Sequence, residues 1–129
     1  MAASGTLEHV NLTVSDPRRT ADLLCRLFGW HIRWEGKAMS GGNTIHVGTD
    51  TGYLAVYAVP PDRECPGRPE VQTVGRLNHV GVLVDDLDAA EQRVTAAGYT
   101  PFNHGDYEPG RRFYFLDSDG TEFEIVSYA

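Results

Sequence analysis

The sequence contains an internal repeat, and this repeat limits the folds that the chain can adopt. Residues 7–16 (LEHVNLTVSD) resemble residues 77–86 (LNHVGVLVDD), and each segment has a histidine near its start and an aspartate at its end. Alternating apolar residues predict a β-strand in each segment, and a helical pattern follows each strand. A duplicated strand–helix unit predicts that the chain folds as two similar modules.

Both predicted helices have recognisable ends. Asp16 and Pro17 predict the N-cap and first residue of the first helix, and Gly29 predicts its end. Asp86 and Gly98 bound the second helix in the same way. Apolar residues at helical spacing predict two buried faces: Ala21, Leu24, Cys25 and Phe28 in the first helix, and Leu87, Ala90, Val94 and Ala97 in the second.

Three further strands are predicted in each half, which makes each half a βαβββ module. We therefore predict an α+β fold of two tandem modules, residues 7–57 and 77–126, in a single domain that spans residues 1–129. Residues 58–76 are rich in proline and are predicted to form an extended linker. Two Gly-containing segments, residues 35–43 and 103–112, are predicted to be long loops of the kind that cover a site.

Composition narrows the choice of partners. The net charge is −7 and there is no basic stripe, so nucleic acid is not an expected partner. The sequence has no apolar run near the ~20 residues that a membrane helix needs, and its start lacks a signal-peptide pattern. We expect a cytoplasmic protein that binds a small molecule rather than a membrane, with Cys25 and Cys65 as unpaired thiols.

Two histidines and a glutamate are the candidate metal ligands. Val10, Leu12 and Val14 are expected beneath the first helix, so His9 lies on the opposite face of its strand. The same alternation places His79 and Glu124 on the non-helical faces of their strands. Neutral imidazoles with one carboxylate suit a divalent metal with positions left open for water or substrate.

A single strand histidine or glutamate is more often a solvated surface residue than a ligand. The metal hypothesis is favoured because the repeat places His9 and His79 at equivalent positions. We therefore predict that His9, His79 and Glu124 bind Zn(II), Ni(II), Mn(II), Co(II) or Fe(II). No organic cofactor is expected.

Taken together, these features make the sequence resemble the vicinal oxygen chelate superfamily, also called glyoxalase/bleomycin-resistance/dioxygenase proteins. The resemblance runs from Leu7 to Val126 and is most specific at residues 77–82 (LNHVGV) and 113–125 (FYFLDSDGTEFEI). It implies paired βαβββ modules that form a glyoxalase-like cleft of mixed β-sheet with flanking helices and a metal at the floor. Members of this family commonly form dimers, so the resemblance also implies a homodimer.

The chain departs from the full family pattern at two positions. Ala55 stands where a fourth metal ligand is usual, and alanine cannot bind a metal. Thr13 stands where glutathione-specific enzymes typically have an arginine. Glutathione-linked glyoxalase I activity is therefore not favoured.

A site of two histidines and one glutamate resembles those of the extradiol dioxygenases and the fosfomycin-resistance transferases. Tyr114 and Glu124 match the extradiol pattern, in which Ser118 replaces a usual proline. His104 is a rough counterpart of the upstream histidine of that pattern, at a slightly longer spacing. The resemblance thus implies Glu124, Tyr114 and His104 as candidate catalytic residues.

Two functions from different classes remain open. The first is a metal-dependent enzyme that acts on a small substrate with adjacent oxygens, by isomerase, lyase or ring-cleaving dioxygenase chemistry. The second is a metal-free drug-binding protein of the bleomycin-resistance type. Five aromatic residues could line such a site: Trp30, Trp34, Tyr53, Tyr57 and Tyr107. The retained set of His9, His79 and Glu124 favours the enzyme.

Overall fold

The computed structural model describes residues 3–38, 41–60, 73–107 and 110–129. The chain divides into two compact units, Met1–Cys65 and Pro66–Ala129. Residues 61–72 of the predicted linker, together with the predicted free thiol of Cys65, lie outside the described residues. Within the described ranges, neither helix has the length and apolar character that a membrane span requires.

The first unit contains β1 (His9–Thr13), α1 (Pro17–Phe28), β2 (His31–Lys37), β3 (Asn43–Gly48) and β4 (Tyr53–Ala58). The second unit contains β5 (Val80–Leu83), α2 (Leu87–Ala96), β6 (Phe102–Tyr107), β7 (Gly110–Leu116) and β8 (Glu122–Ser127). The sheets have the orders β1-β4-β3-β2 and β5-β8-β7-β6. In each sheet the first strand runs parallel to the last, and the other pairs are antiparallel. The prediction of two βαβββ modules is therefore confirmed.

The helix ends are those that the sequence predicts. The Asp16 side chain accepts a hydrogen bond from the backbone N–H of Arg19, and the Asp86 side chain accepts one from that of Ala89. Gly29 ends α1 with φ +68°, and Gly98, with φ +96°, follows α2. Both glycines adopt the left-handed conformation that other residues rarely adopt.

The buried face of α1 is rotated from the predicted one. Ala21 and Leu24 are buried as predicted, but they are joined by Thr20 and Leu27. Cys25 and Phe28 are only half-buried. The reason is that α1 packs mainly against β3, whereas β1 is the edge strand of the sheet. For the same reason, Val14 is the one residue of the predicted β1 face that is buried, while Leu12 is half-buried and Val10 is exposed.

The predicted long loop at residues 103–112 is wrong, because its described residues belong to β6 and β7. The predicted loop at residues 35–43 is too long, because residues 35–37 belong to β2 and Asn43 begins β3. A Cβ on Gly36 would lie 2.8 Å from the Trp34 ring, and one on Gly105 would lie 2.6 Å from the Tyr107 ring. Each glycine therefore makes room for an aromatic ring two residues away on the same strand face. The sequence pattern was misleading because glycine also marks loops.

Candidate functional site

Strand alternation in the second unit places Tyr114 and Glu124 on one face. Phe113, Phe115, Phe123 and Ile125 are fully buried in the core. Because Tyr114 lies between two of these residues and Glu124 between the other two, both side chains point to the opposite face. They are direct partners in the β7–β8 register. Gly81 is the partner of Glu124 on β5, so no side chain occupies the space there.

The two carboxylate oxygens of Glu124 have different surroundings. The Tyr114 hydroxyl donates to Oε2 at 2.6 Å, and Nη1 of Arg112 donates to the same oxygen at 3.1 Å. The other oxygen, Oε1, lies 3.6 Å from Nε2 of His79. The Glu124 side chain is 15% exposed. One oxygen is thus held by the protein, and the other faces an imidazole nitrogen.

The orientation of His79 is set by the residue before it. Nδ1 of His79 lies 2.8 Å from the side-chain oxygen Oδ1 of Asn78. Because this oxygen is an acceptor, Nδ1 carries the proton and the lone pair of the neutral ring is on Nε2. His9 has the same arrangement in the first unit, where Nδ1 lies 2.7 Å from Oε1 of Glu8. In both modules, Nε2 is therefore the nitrogen that can bind a metal.

The charges at the Glu124 cluster follow from these contacts. Burial opposes ionisation of Glu124, but the hydrogen bonds from Tyr114 and Arg112 and the nearby His79 outweigh it, so the pKa of Glu124 lies below its ordinary value of 4.5. The hydrogen bond to Glu124, assisted by burial, raises the pKa of Tyr114 to about 12. At neutral pH, Glu124 is ionised and Tyr114 is a protonated donor.

His104 has a different set of contacts. Its Nε2 lies 2.8 Å from Oε2 of Glu91 on α2, and its ring stacks on Phe113 with the centroids 6.1 Å apart. These contacts hold the imidazole toward the helix. His104 nevertheless borders an open pocket of about 420 Å³ that His79 and Tyr114 also line.

The matching face of the first unit is aromatic. The His46 ring lies between those of Tyr53 and Trp34, with centroid distances of 4.6 Å and 5.0 Å, and the His9 ring lies 5.0 Å from Tyr53. His46 pairs with Ala55 across the β3–β4 register, as Tyr114 pairs with Glu124 in the second unit. Burial, followed by the charges of His9 and Arg33, lowers the pKa of His46 below 6.5, so this ring is neutral at pH 7.

Of the predicted site residues, His79, Tyr114 and Glu124 lie together in the second unit, and His9 lies in the first. Within either unit, no three described His, Cys, Asp or Glu side chains form a cluster that could hold a metal ion. Sequence reasoning missed Arg112 and Asn78. Strand spacing could have indicated Arg112, since it lies two residues before Tyr114 and so shares its face.

Comparisons with solved structures identify the fold. A glyoxylase/bleomycin resistance protein/dioxygenase domain from Frankia sp. EAN1pec is similar at 20% identity and a TM-score of 0.78, with 98% of each chain covered. A mutant of FosX from Listeria monocytogenes, a fosfomycin resistance protein complexed with Mn(II), is similar at 18% identity, with a TM-score of 0.71 and coverage of 96% of this chain and 93% of that one.

An antibiotic-binding protein, TnmS3 from Streptomyces sp. CB03234, is similar at 17% identity and a TM-score of 0.72, with 100% of both chains covered. No curated protein matches the sequence. The family model that describes the Glyoxalase/Bleomycin resistance protein/Dioxygenase superfamily matches residues 6–125. The chain therefore belongs to the glyoxalase/bleomycin resistance protein/dioxygenase superfamily.

Proposed function

We propose that the protein is a divalent-metal-dependent enzyme of the glyoxalase/dioxygenase type, with His9, His79 and Glu124 as the metal ligands. The observation that carries this proposal is the pair formed by His79 and Glu124. Nε2 of the histidine and Oε1 of the glutamate face each other at 3.6 Å, and the other polar atom of each side chain is already hydrogen-bonded. A nitrogen and an oxygen donor so arranged suit a divalent ion.

The donor chemistry of His9 supports its role as the third ligand. Metal-binding histidines usually donate their other ring N–H to a carboxylate or carbonyl, which fixes the tautomer. Glu8 accepts this bond from His9, as Asn78 does from His79. We propose that His9 reaches the site either from the same chain or from the partner chain of a homodimer.

A bound divalent ion would supply Lewis-acid catalysis on a small substrate with two adjacent oxygens, by lyase, isomerase or ring-cleaving dioxygenase chemistry. Tyr114 keeps its proton at neutral pH and therefore acts as a donor that orients Glu124, not as a base. The contact between Nδ1 of His79 and Asn78 fixes the tautomer of the histidine. The catalytic role of His104 stays a prediction from the sequence.

Relatives of similar fold support the choice of probes. The solved FosX holds Mn(II), which makes this ion a suitable first ligand for titration.

A metal-free binding protein is the second candidate, and the aromatic face of the first unit favours it. Trp34 is 50% exposed. Its ring contacts that of His46, which in turn stacks on the ring of Tyr53. Exposed, supported rings can stack on a planar ligand. The similar fold of the antibiotic-binding TnmS3 is compatible with this function.

Isothermal titration calorimetry with Mn(II), Zn(II) and Ni(II) separates the two candidates. We expect the wild-type protein to bind one ion per chain, and His79→Ala and Glu124→Ala to bind at least tenfold more weakly. His31→Ala is the matched control, because His31 is an exposed histidine whose near partner is Asp50. Equal affinities in all four proteins would contradict the site and favour the binding protein.

A further inference from the structure

Arg112 is a mostly buried cation beside the proposed metal ligand. Its side chain is 11% exposed. Nη1 donates to Oε2 of Glu124, Nη2 donates to the backbone oxygen of Gly110 at 3.2 Å, and the guanidinium lies 4.6 Å from the centre of the Tyr107 ring. Three contacts of different kinds therefore hold the charge in place.

This placement is not explained by packing alone. Nε of Arg112 is buried and, among the described residues, has no hydrogen-bond partner, which is a cost to stability. A residue of similar length without a charge would avoid that cost. The feature gained from arginine here is a permanent positive charge next to the Glu124 carboxylate.

A charge at this position opposes a divalent ion. Arg112 and the ion would interact with opposite oxygens of the same carboxylate, and their like charges repel each other. Glu124 is the carboxylate among the three proposed ligands, and the adjacent Arg112 offsets its charge of −1. This offset weakens the attraction of the carboxylate for cations.

We propose that Arg112 is an internal counter-ion of Glu124 that stabilises the metal-free protein and lowers the affinity of the site for divalent metal. This inference rests on the proposed function, since it concerns the same site. Removing the charge should tighten metal binding, and it should destabilise the protein when metal is absent.

Arg112→Met is the test variant, because methionine keeps an unbranched apolar stem against Tyr107. Tyr114 still holds Oε2 of Glu124 in this variant, so the carboxylate keeps its orientation. Coulomb's law gives about a tenfold effect for a unit charge and a divalent ion on opposite sides of one carboxylate, even at the dielectric constant of water. We therefore expect Mn(II) to bind Arg112→Met at least tenfold more tightly than wild type.

The second readout is urea unfolding in EDTA, where we expect a lower midpoint for Arg112→Met than for wild type. Arg111→Met is the matched control. It removes the same charge from the adjacent residue, whose side chain pairs with Asp88 on α2, and we expect Mn(II) affinity to stay within twofold of wild type. If Arg112→Met does not fold, Arg112→Gln removes the charge and keeps a side-chain donor.

The outcomes separate this inference from the proposed function. If the wild type binds Mn(II) and neither Arg112→Met nor Arg112→Gln binds it more tightly, the counter-ion role is overturned. The metal site itself would then still stand. Tight binding by Arg112→Met with no wild-type binding would support the counter-ion role and contradict a metal-dependent wild-type enzyme. Absence of binding in every protein would overturn both.

Discussion

The hydrogen bond from Tyr114 to Glu124 can be tested by Tyr114→Phe, which removes the hydroxyl and keeps the ring. The bond is 2.6 Å long, and its acceptor is an ionised carboxylate that is 15% exposed. Hydrogen bonds to charged groups contribute about 1.5–3 kcal/mol. We expect Tyr114→Phe to lower the free energy of unfolding by about 2 kcal/mol at pH 7.

The loss in free energy of unfolding caused by Tyr114→Phe should depend on pH, in a direction that the structure determines. The pKa of Glu124 is lowered in the folded protein, so the stability that its ionised form provides is fully present above the ordinary value of 4.5. That stability is lost as the pH falls through the lower folded-state pKa. The effect of Tyr114→Phe should therefore be largest at pH 7 and should shrink as the pH falls below 4.5 and through the folded-state pKa of Glu124.

Urea unfolding at pH 7 and pH 3 is the assay, with Tyr99→Phe as the control. The Tyr99 hydroxyl lies 2.7 Å from the Ser118 hydroxyl, so this bond joins two neutral groups. We expect a pH-independent loss of about 0.5–1.5 kcal/mol for Tyr99→Phe. An equal loss at both pH values for Tyr114→Phe would refute the claim that its hydroxyl stabilises an ionised Glu124.

Three further predictions concern Asn78, Ala55 and His46. Asn78→Ala should weaken Mn(II) binding by tenfold or more in calorimetry, because the partner that fixes the His79 tautomer is lost; unchanged affinity would rule out this role. Ala55→Glu should tighten Mn(II) binding by adding a fourth ligand, and weaker binding would show that position 55 does not reach the site. Protonation of His46, whose ring lies 5.0 Å from Trp34, should quench Trp34 fluorescence with a midpoint below pH 6.5; a midpoint at or above that value would contradict the direction of the shift.

The modules and helix ends were predictable because their signals are local. An aspartate cap, a proline at the first helical position and a glycine in the left-handed conformation act within a few residues of the chain. Asp16 and Gly29 therefore bound α1 as the sequence indicated. The strand that contains His9 resembles the segment that contains His79. This repeat indicated the duplicated βαβββ unit.

Features that depend on contacts between strands were harder to predict. Gly36 and Gly105 have neighbours that resemble those of loop glycines, and only the packing of Trp34 and Tyr107 over them shows why they belong in strands. The two hydrogen bonds to Glu124 likewise depend on the β7–β8 register, which brings Arg112 and Tyr114 to the same carboxylate oxygen. A register is set by the whole sheet, so no short sequence motif specifies it.

Metal content per chain tests the central claim most directly. The wild-type protein would be loaded with Mn(II), dialysed and analysed by elemental analysis beside His9→Ala, His79→Ala and the control His31→Ala. We expect about one ion per chain in wild type and in His31→Ala, and almost none in the other two variants. Retention of one ion per chain in His9→Ala and His79→Ala would contradict their assignment as metal ligands.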